Sequence, residues 1–208
     1  MKTVINYIIP LGSQCFSSFF LKKHNLKKTS YPFDWIFSSP KVITDILNDK
    51  FKKFLNKDYY VIKDINSDKN QHQIYLPELT MFNHRNPLKD EDYIYYKRCI
   101  NRFYNILDKN EKKLFLITSL KNEINNELEN ICLLNHVINN ITKNYILLSI
   151  FQICTGVQSK EVYEYDNMII IQITTLSESD GVIFFNDLDN IYYKSIIDSL
   201  YEFDLIDI

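Results

Sequence analysis

The sequence predicts an α/β fold: a three-layer sandwich around a mostly parallel sheet, in a single domain spanning residues 1–208. Two observations carry this. Residues 114–117, 145–151 and 168–173 are short apolar runs rich in Ile, Leu and Phe with no polar alternation, as strands covered on both faces require. Between and before them lie stretches with helical periodicity, and the strand–helix–strand span of 114–151 is long enough for a crossover between parallel strands.

The elements follow in order. Residues 3–9 (TVINYII) read as a buried strand that Pro10 and Gly12 close. A helix then starts at Ser13 or Gln14 and runs to His24, with Phe16, Phe19, Phe20 and Leu21 inward. Lys22, Lys23, Lys27 and Lys28 collect at its end, where cations complement the helix dipole. Ser39-Pro40 is an N-cap followed by proline at N1, and Val42, Ile43, Ile46 and Leu47 supply the buried face of that helix. Residues 59–62 and 73–82 contain short strand-like runs. The polar stretch 63–72 reads as a surface loop, and 83–87 as another. Tyr93, Tyr96, Ile100, Phe103 and Leu107 recur at helical spacing, which predicts a helix over 89–108. Ile124, Leu128, Ile131, Leu134 and Ile138 predict a second over 121–140. Residues 182–185 add a further apolar run that suits a strand. Asp189 is placed to cap a final helix reaching about Tyr201.

Composition narrows the function classes. Hydrophobic residues are 46% and aromatics 14% of the 208 residues, enough for a sizeable core and against disorder. A net charge of -2 gives no strong field to draw in nucleic acid or an anionic membrane. No run approaches the ~20 apolar residues of a membrane span, and the apolar run at the N-terminus is too short for a secretory signal. The four cysteines form no C-x-x-C pair, which argues against a disulfide framework or a zinc site and for a reduced, cytoplasmic protein. No pair of histidines has ligand spacing, so the expectation is no metal and no cofactor. Oligomeric state is left open.

The residues with chemistry to offer cluster near the start. Cys15 falls at the first turn of a helix that follows a strand and a Gly turn. Free N–H groups and the dipole there favour a thiolate, which predicts a pKa below the free value of ~8.5. Gln14 and the same N–H groups can face an oxyanion. The bland alternative is that Cys15 is a small buried hydrophobe. Ser13, directly after Gly12, is an alternative nucleophile. His84, in a loop after a strand-like run, is the candidate base, against the alternative of a surface histidine. Asp34 sits between Phe33 and Trp35, so its carboxylate needs a partner. It can orient His84, cap the next helix, or hold Lys27 or Arg98. Arg98 and Arg102 share one helix face and can grip a carboxylate or phosphate, or pair with acidic neighbours in solvent. Trp35, the only tryptophan, and Phe33 are expected to be mostly buried.

This window resembles the family of putative papain-like cysteine peptidases. The resemblance rests on Leu11, Gly12 and Cys15, on Leu21-Lys22 and Leu26-Lys27, and on Pro32-Phe33-Asp34-Trp35. His84, and Arg98, Arg102 and Phe103 before residues 114–117, complete it, so that it covers roughly residues 4–120. Lys27 and Thr118 stand where the family pattern has arginines. The resemblance implies a Cys15 nucleophile, a His84 base and an Asp34 orienting group, acting on a peptide, an ester or an acylated sugar by hydrolysis or acyl transfer. It also implies a papain-like α+β fold with an antiparallel sheet or barrel, which the local pattern contradicts. The competing reading is a non-enzymatic α/β module that binds an anionic ligand at the helix N-terminus, with Lys27, Arg98 and Arg102 around it.

Overall fold

The computed structural model describes residues 2–62, 69–76 and 80–207. Its elements are β1 (Thr3–Ile5), β2 (Tyr7–Pro10), α1 (Phe16–Lys23), α2 (Pro40–Asn48), β3 (Tyr60–Ile62), β4 (Asn70–His72) and α3 (Asp90–Leu107). They continue with β5 (Lys113–Leu120), α4 (Ile124–Ile141), β6 (Tyr145–Cys154), β7 (Ser159–Tyr165), β8 (Met168–Thr175), α5 (Asp187–Leu200) and β9 (Tyr201–Phe203). The five-stranded central sheet has the order β2-β5-β6-β8-β7. Its first four strands are parallel, and β7 pairs antiparallel with β8 at the edge.

Period-two alternation decides what each strand residue touches. Phe115, Ile117, Leu147 and Ile170 pack with Ile43 of α2, Phe103 of α3 and Leu134 of α4. Leu116, Leu148, Ile150 and Ile171 pack on the other face with Phe16 and Phe20 of α1 and with Tyr193 and Ile196 of α5. Both faces are covered, which explains why these strands read as unbroken apolar runs. The result is the expected α/β sandwich with a mostly parallel sheet. Residues 114–185 form no closed antiparallel barrel, so the papain-like α+β alternative does not hold.

Several elements differ from expectation, each for a local reason. The run 3–9 is two strands, not one. Asn6 breaks it: its N–H donates to the Lys112 carbonyl (2.9 Å) while its side chain accepts from the Lys112 N–H (3.1 Å). Before that point β1 pairs with β9, and after it β2 pairs with β5. Residues 182–185 are a tight turn rather than a strand. The Asp180 carboxylate accepts from the Val182 and Ile183 N–H groups at 2.8 and 2.9 Å. Asn186 caps α5 by accepting from Leu188 N–H (3.0 Å). Asp189 lies inside that helix and accepts from the Leu176 and Ser177 N–H groups, tying α5 to the end of β8. The polar stretch 63–72 ends in β4, whose Asn70, Gln71 and His72 are buried and pair with β3; residues 63–68 lie outside the described part. Of the run 73–82, only Leu76 and Phe82 make isolated bridges, and residues 77–79 are not described. Finally, β7 has no counterpart in the expectation, because all its residues are exposed and Ser159, Lys160, Glu161 and Glu164 break any apolar run.

Candidate active site at the carboxyl ends of β2 and β5

Strand β2 feeds α1 on one face of the sheet, and its neighbour β5 feeds α4 on the other. Diverging connections open a crevice beyond the carboxyl ends of the two strands, the usual ligand position in open α/β sheets. The turn that carries Cys15 into it is pinned to β5. Leu11 N–H donates to the Leu116 carbonyl (2.8 Å), and Thr118 N–H donates to the Gly12 carbonyl (3.2 Å). The Ser17 hydroxyl donates to the Gly12 carbonyl and meets the Thr118 hydroxyl, each at 3.0 Å. Thr118 in turn reaches the Tyr193 hydroxyl at 2.6 Å. Gly12 has φ +100, and a Cβ there would lie 2.3 Å from Ser38 Oγ, so only glycine fits. Cys15 is the residue at which α1 begins.

A second strip of chain brings the base. Ile36 bridges Phe82, Phe37 N–H donates to the Met81 carbonyl (2.9 Å), and Ser38 N–H donates to the Ser13 carbonyl (2.9 Å). Residues 36–38 therefore bind the segment before His84 on one side and the segment before Cys15 on the other. Beyond His84, Arg85 pairs with Asp92 (2.7 Å) and stacks on Tyr95, fastening the loop to α3. The outcome is a Cys15 Sγ to His84 Nε2 distance of 3.1 Å, across 69 residues of sequence. Sequence reasoning overlooked Arg85, Asp92 and Ser38 in these supporting roles; only the Asn86-Pro87 turn after Arg85 signalled that the loop is shaped.

Cys15 and His84 line a cleft of about 390 Å³ with Gln14, Asn83, Lys121 and Gly181. A Cβ on Gly181 would come 2.4 Å from Gln14 Oε1, so this glycine leaves room for the Gln14 side chain. Ser13 is next door, but its hydroxyl donates to the Thr118 carbonyl (3.0 Å), and Cys15 is the residue that meets the imidazole. A larger depression of about 590 Å³ at the opposite ends of the strands holds Asp108, Glu111 and Asp207 but no nucleophile beside a base.

The remaining expected site residues lie elsewhere. Asp34 does not orient His84. Its carboxylate forms an ion pair with Lys27 and accepts from the Tyr31 N–H (3.0 Å). Burial pushes its carboxyl up, against the pull of Lys27. Trp35, one residue on, presents an edge contact to the His84 ring at 5.8 Å and carries Lys27 over its face at 5.9 Å. Among the described residues the other ring nitrogen of His84 has no hydrogen-bond partner, so packing against Trp35 is what seats the ring. Phe33 is fully buried and Trp35 mostly so, as expected, with part of Trp35 left exposed. Arg98 is exposed on α3 and Arg102 is half-buried there, and neither lines the cleft. Among the described residues no group of 3 or more His, Cys, Asp or Glu side chains is placed to hold a metal ion.

The thiol also departs from expectation. Cys15 is 4% exposed, and burial pushes its pKa up to about 11 rather than down. The cause is desolvation of the buried sulfur, which disfavours its charged form. The resting Cys15 is therefore a neutral thiol.

Residues 6–154 match the model of the family described as "putative papain-like cysteine peptidase". No curated protein and no solved structure matches the chain. Among the described residues no helix is long and apolar enough to cross a membrane.

Proposed function

We propose that this chain, which belongs to the family of putative papain-like cysteine peptidases, cleaves an amide or ester bond through a covalent thioester on Cys15. The single observation that supports this best is the 3.1 Å approach of Cys15 Sγ to His84 Nε2 inside an open cleft. A thiol and an imidazole at that distance are a nucleophile with its general base. Because burial disfavours the thiolate, the proton leaves as the bond forms. Sγ attacks the carbonyl carbon while Nε2 takes the thiol proton. Negative charge develops on the former carbonyl oxygen, beside the unpaired N–H groups at the start of α1 and the Gln14 amide. The intermediate collapses, the C–N or C–O bond breaks, and the imidazolium returns its proton to the leaving group. Water, deprotonated by His84, then hydrolyses the thioester and regenerates the thiol.

Among the described residues His84 has no carboxylate partner; Trp35 packs edge-on against its ring, and Lys27 of the Lys27–Asp34 pair lies over the Trp35 ring. Peptides, simple esters and acylated sugars all fit this chemistry, as does transfer of the acyl group to an acceptor other than water. The anion-binding alternative loses support, because neither Arg98 nor Arg102 lines the cleft.

An activated acyl ester, p-nitrophenyl acetate, tests the reading by mass spectrometry of quenched protein. The expected result is one acyl group on the peptide that contains Cys15, absent in both Cys15→Ala and His84→Ala. Equal labelling of Cys15→Ala and wild type would sink it.

A further inference from the structure

The outer edge of β7 is the most exposed regular element of the fold. It pairs with β8 from Ser159 opposite Thr174 to Tyr165 opposite Met168, and among the described residues nothing pairs with its other side. All seven of its residues are exposed, including Val162, Tyr163 and Tyr165. Edge strands of this length are normally blunted by proline, a bulge or a covering element. Here the register is continuous and the strand holds no proline. Its charges, Lys160, Glu161 and Glu164, are the only guard.

Those charges are arranged to match themselves. Two copies of β7 laid antiparallel about a two-fold axis at Val162 place each Lys160 opposite Glu164 of the other copy. Val162 then meets Val162, and Glu161 faces Tyr163, whose hydroxyl already donates to the Glu161 carboxylate within one chain (3.0 Å). Opposite charges directly across an antiparallel pair stabilise it, and like charges destabilise it. Other registers fail this test. Centring on Lys160, Glu161 or Glu164 sets like charges against each other. Centring on Tyr163 moves the opposite charge for Lys160 to Asp166, which lies in the turn beyond the strand. Val162 sits opposite Ile171, on the α5 face, while Glu161, Tyr163 and Tyr165 line a 280 Å³ hollow against α4 that a second copy's tyrosines would cover.

We propose that β7 is a self-association edge, through which a second copy of this chain joins the two five-stranded sheets into one, with the dyad at Val162. One strand pair with flanking aromatics falls at the small end of specific interfaces, so the dimer forms in a concentration-dependent way. The candidate active site lies at the opposite edge of the sheet, beside β2, and stays open in the dimer.

Sedimentation velocity on the full chain over a concentration series tests this. Wild type should shift toward dimer as concentration rises. Lys160→Glu and Glu164→Lys should each remain monomeric, since each sets like charges together at both ends of the dyad. An equimolar mixture of the two variants should recover the dimer, because every facing pair is then opposite in charge. All of these side chains are exposed, so circular dichroism and the thermal midpoint should stay at wild-type values. Monomeric wild type at every concentration would overturn the proposal. So would dimers that persist in both single variants, or a mixture that fails to associate.

Discussion

Ionisation of Cys15 separates two ways in which a cysteine–histidine pair can work. A raised value of about 11 against the ordinary 9.0 corresponds to roughly 3 kcal/mol against charging this sulfur. At about pH 8 the thiolate is then on the order of one molecule in a thousand, about a hundredfold less than for a thiol at the ordinary value. The perturbation is pH, and the assay is iodoacetamide alkylation followed by peptide mapping of each cysteine. Cys132 and Cys154 are exposed and should be modified first. Cys15 should lag, with a rate that keeps climbing tenfold per pH unit into the alkaline range. His84→Ala should leave that alkaline rise in place while abolishing acylation by esters at neutral pH, because the imidazole acts as a base in the transition state rather than as a counter-ion at rest. A wild-type Cys15 rate that levels off at or below neutral pH would refute the argument. It would mean that the helix N-terminus and an imidazolium overcome desolvation, so that the thiolate is preformed.

Three further outcomes follow from the packing. Phe33→Ala should cost about 3–5 kcal/mol in urea unfolding, the range for a fully buried aromatic, and Trp35→Ala less, about 2 kcal/mol, since Trp35 is only partly buried; Trp35→Ala should nevertheless slow acylation of Cys15 by unseating His84. Lys27→Ala should destabilise by about 3–5 kcal/mol because it strands the buried Asp34 carboxylate, whereas the double variant Lys27→Met/Asp34→Asn should be measurably less damaged in the same unfolding assay. His72 is buried, with one ring nitrogen against the Lys53 carbonyl and the other accepting from Ile74 N–H, and burial lowers its pKa from 6.5. The unfolded chain therefore binds the proton more readily, so stability should be full above pH 6.5 and fall as the pH drops below it. Urea midpoints on the two sides of that value should show the loss, and His72→Gln should reduce it.

The amino-acid sequence alone determined the three-layer α/β class, because strands buried on both faces must be continuously apolar and the helices between them must carry one apolar face. It also singled out the two residues proposed to react. A cysteine at a strand-to-helix turn and a histidine in a shaped loop are chemical types whose local settings can be read one at a time. The tertiary structure alone decided which groups meet them. Asp34 has one carboxylate and two suitors, and nothing in Pro32-Phe33-Asp34-Trp35 says that Lys27 is nearer than His84. Arg98 and Arg102 share a helix face, but the rotation of α3 on the sheet sets where that face looks, and neither arginine lines the cleft. The sign of the shift at Cys15 was hidden for the same reason. A helix N-terminus is visible in sequence, but desolvation depends on how distant segments, His84 among them, close around the sulfur. Pairing at the margins was equally illegible. Residues 3–9 are mostly apolar and read as one strand, yet they change partners at Asn6, and β7 is a strand only because β8 lies beside it. Local propensity reports what a segment can do, whereas contacts between distant segments choose among those options.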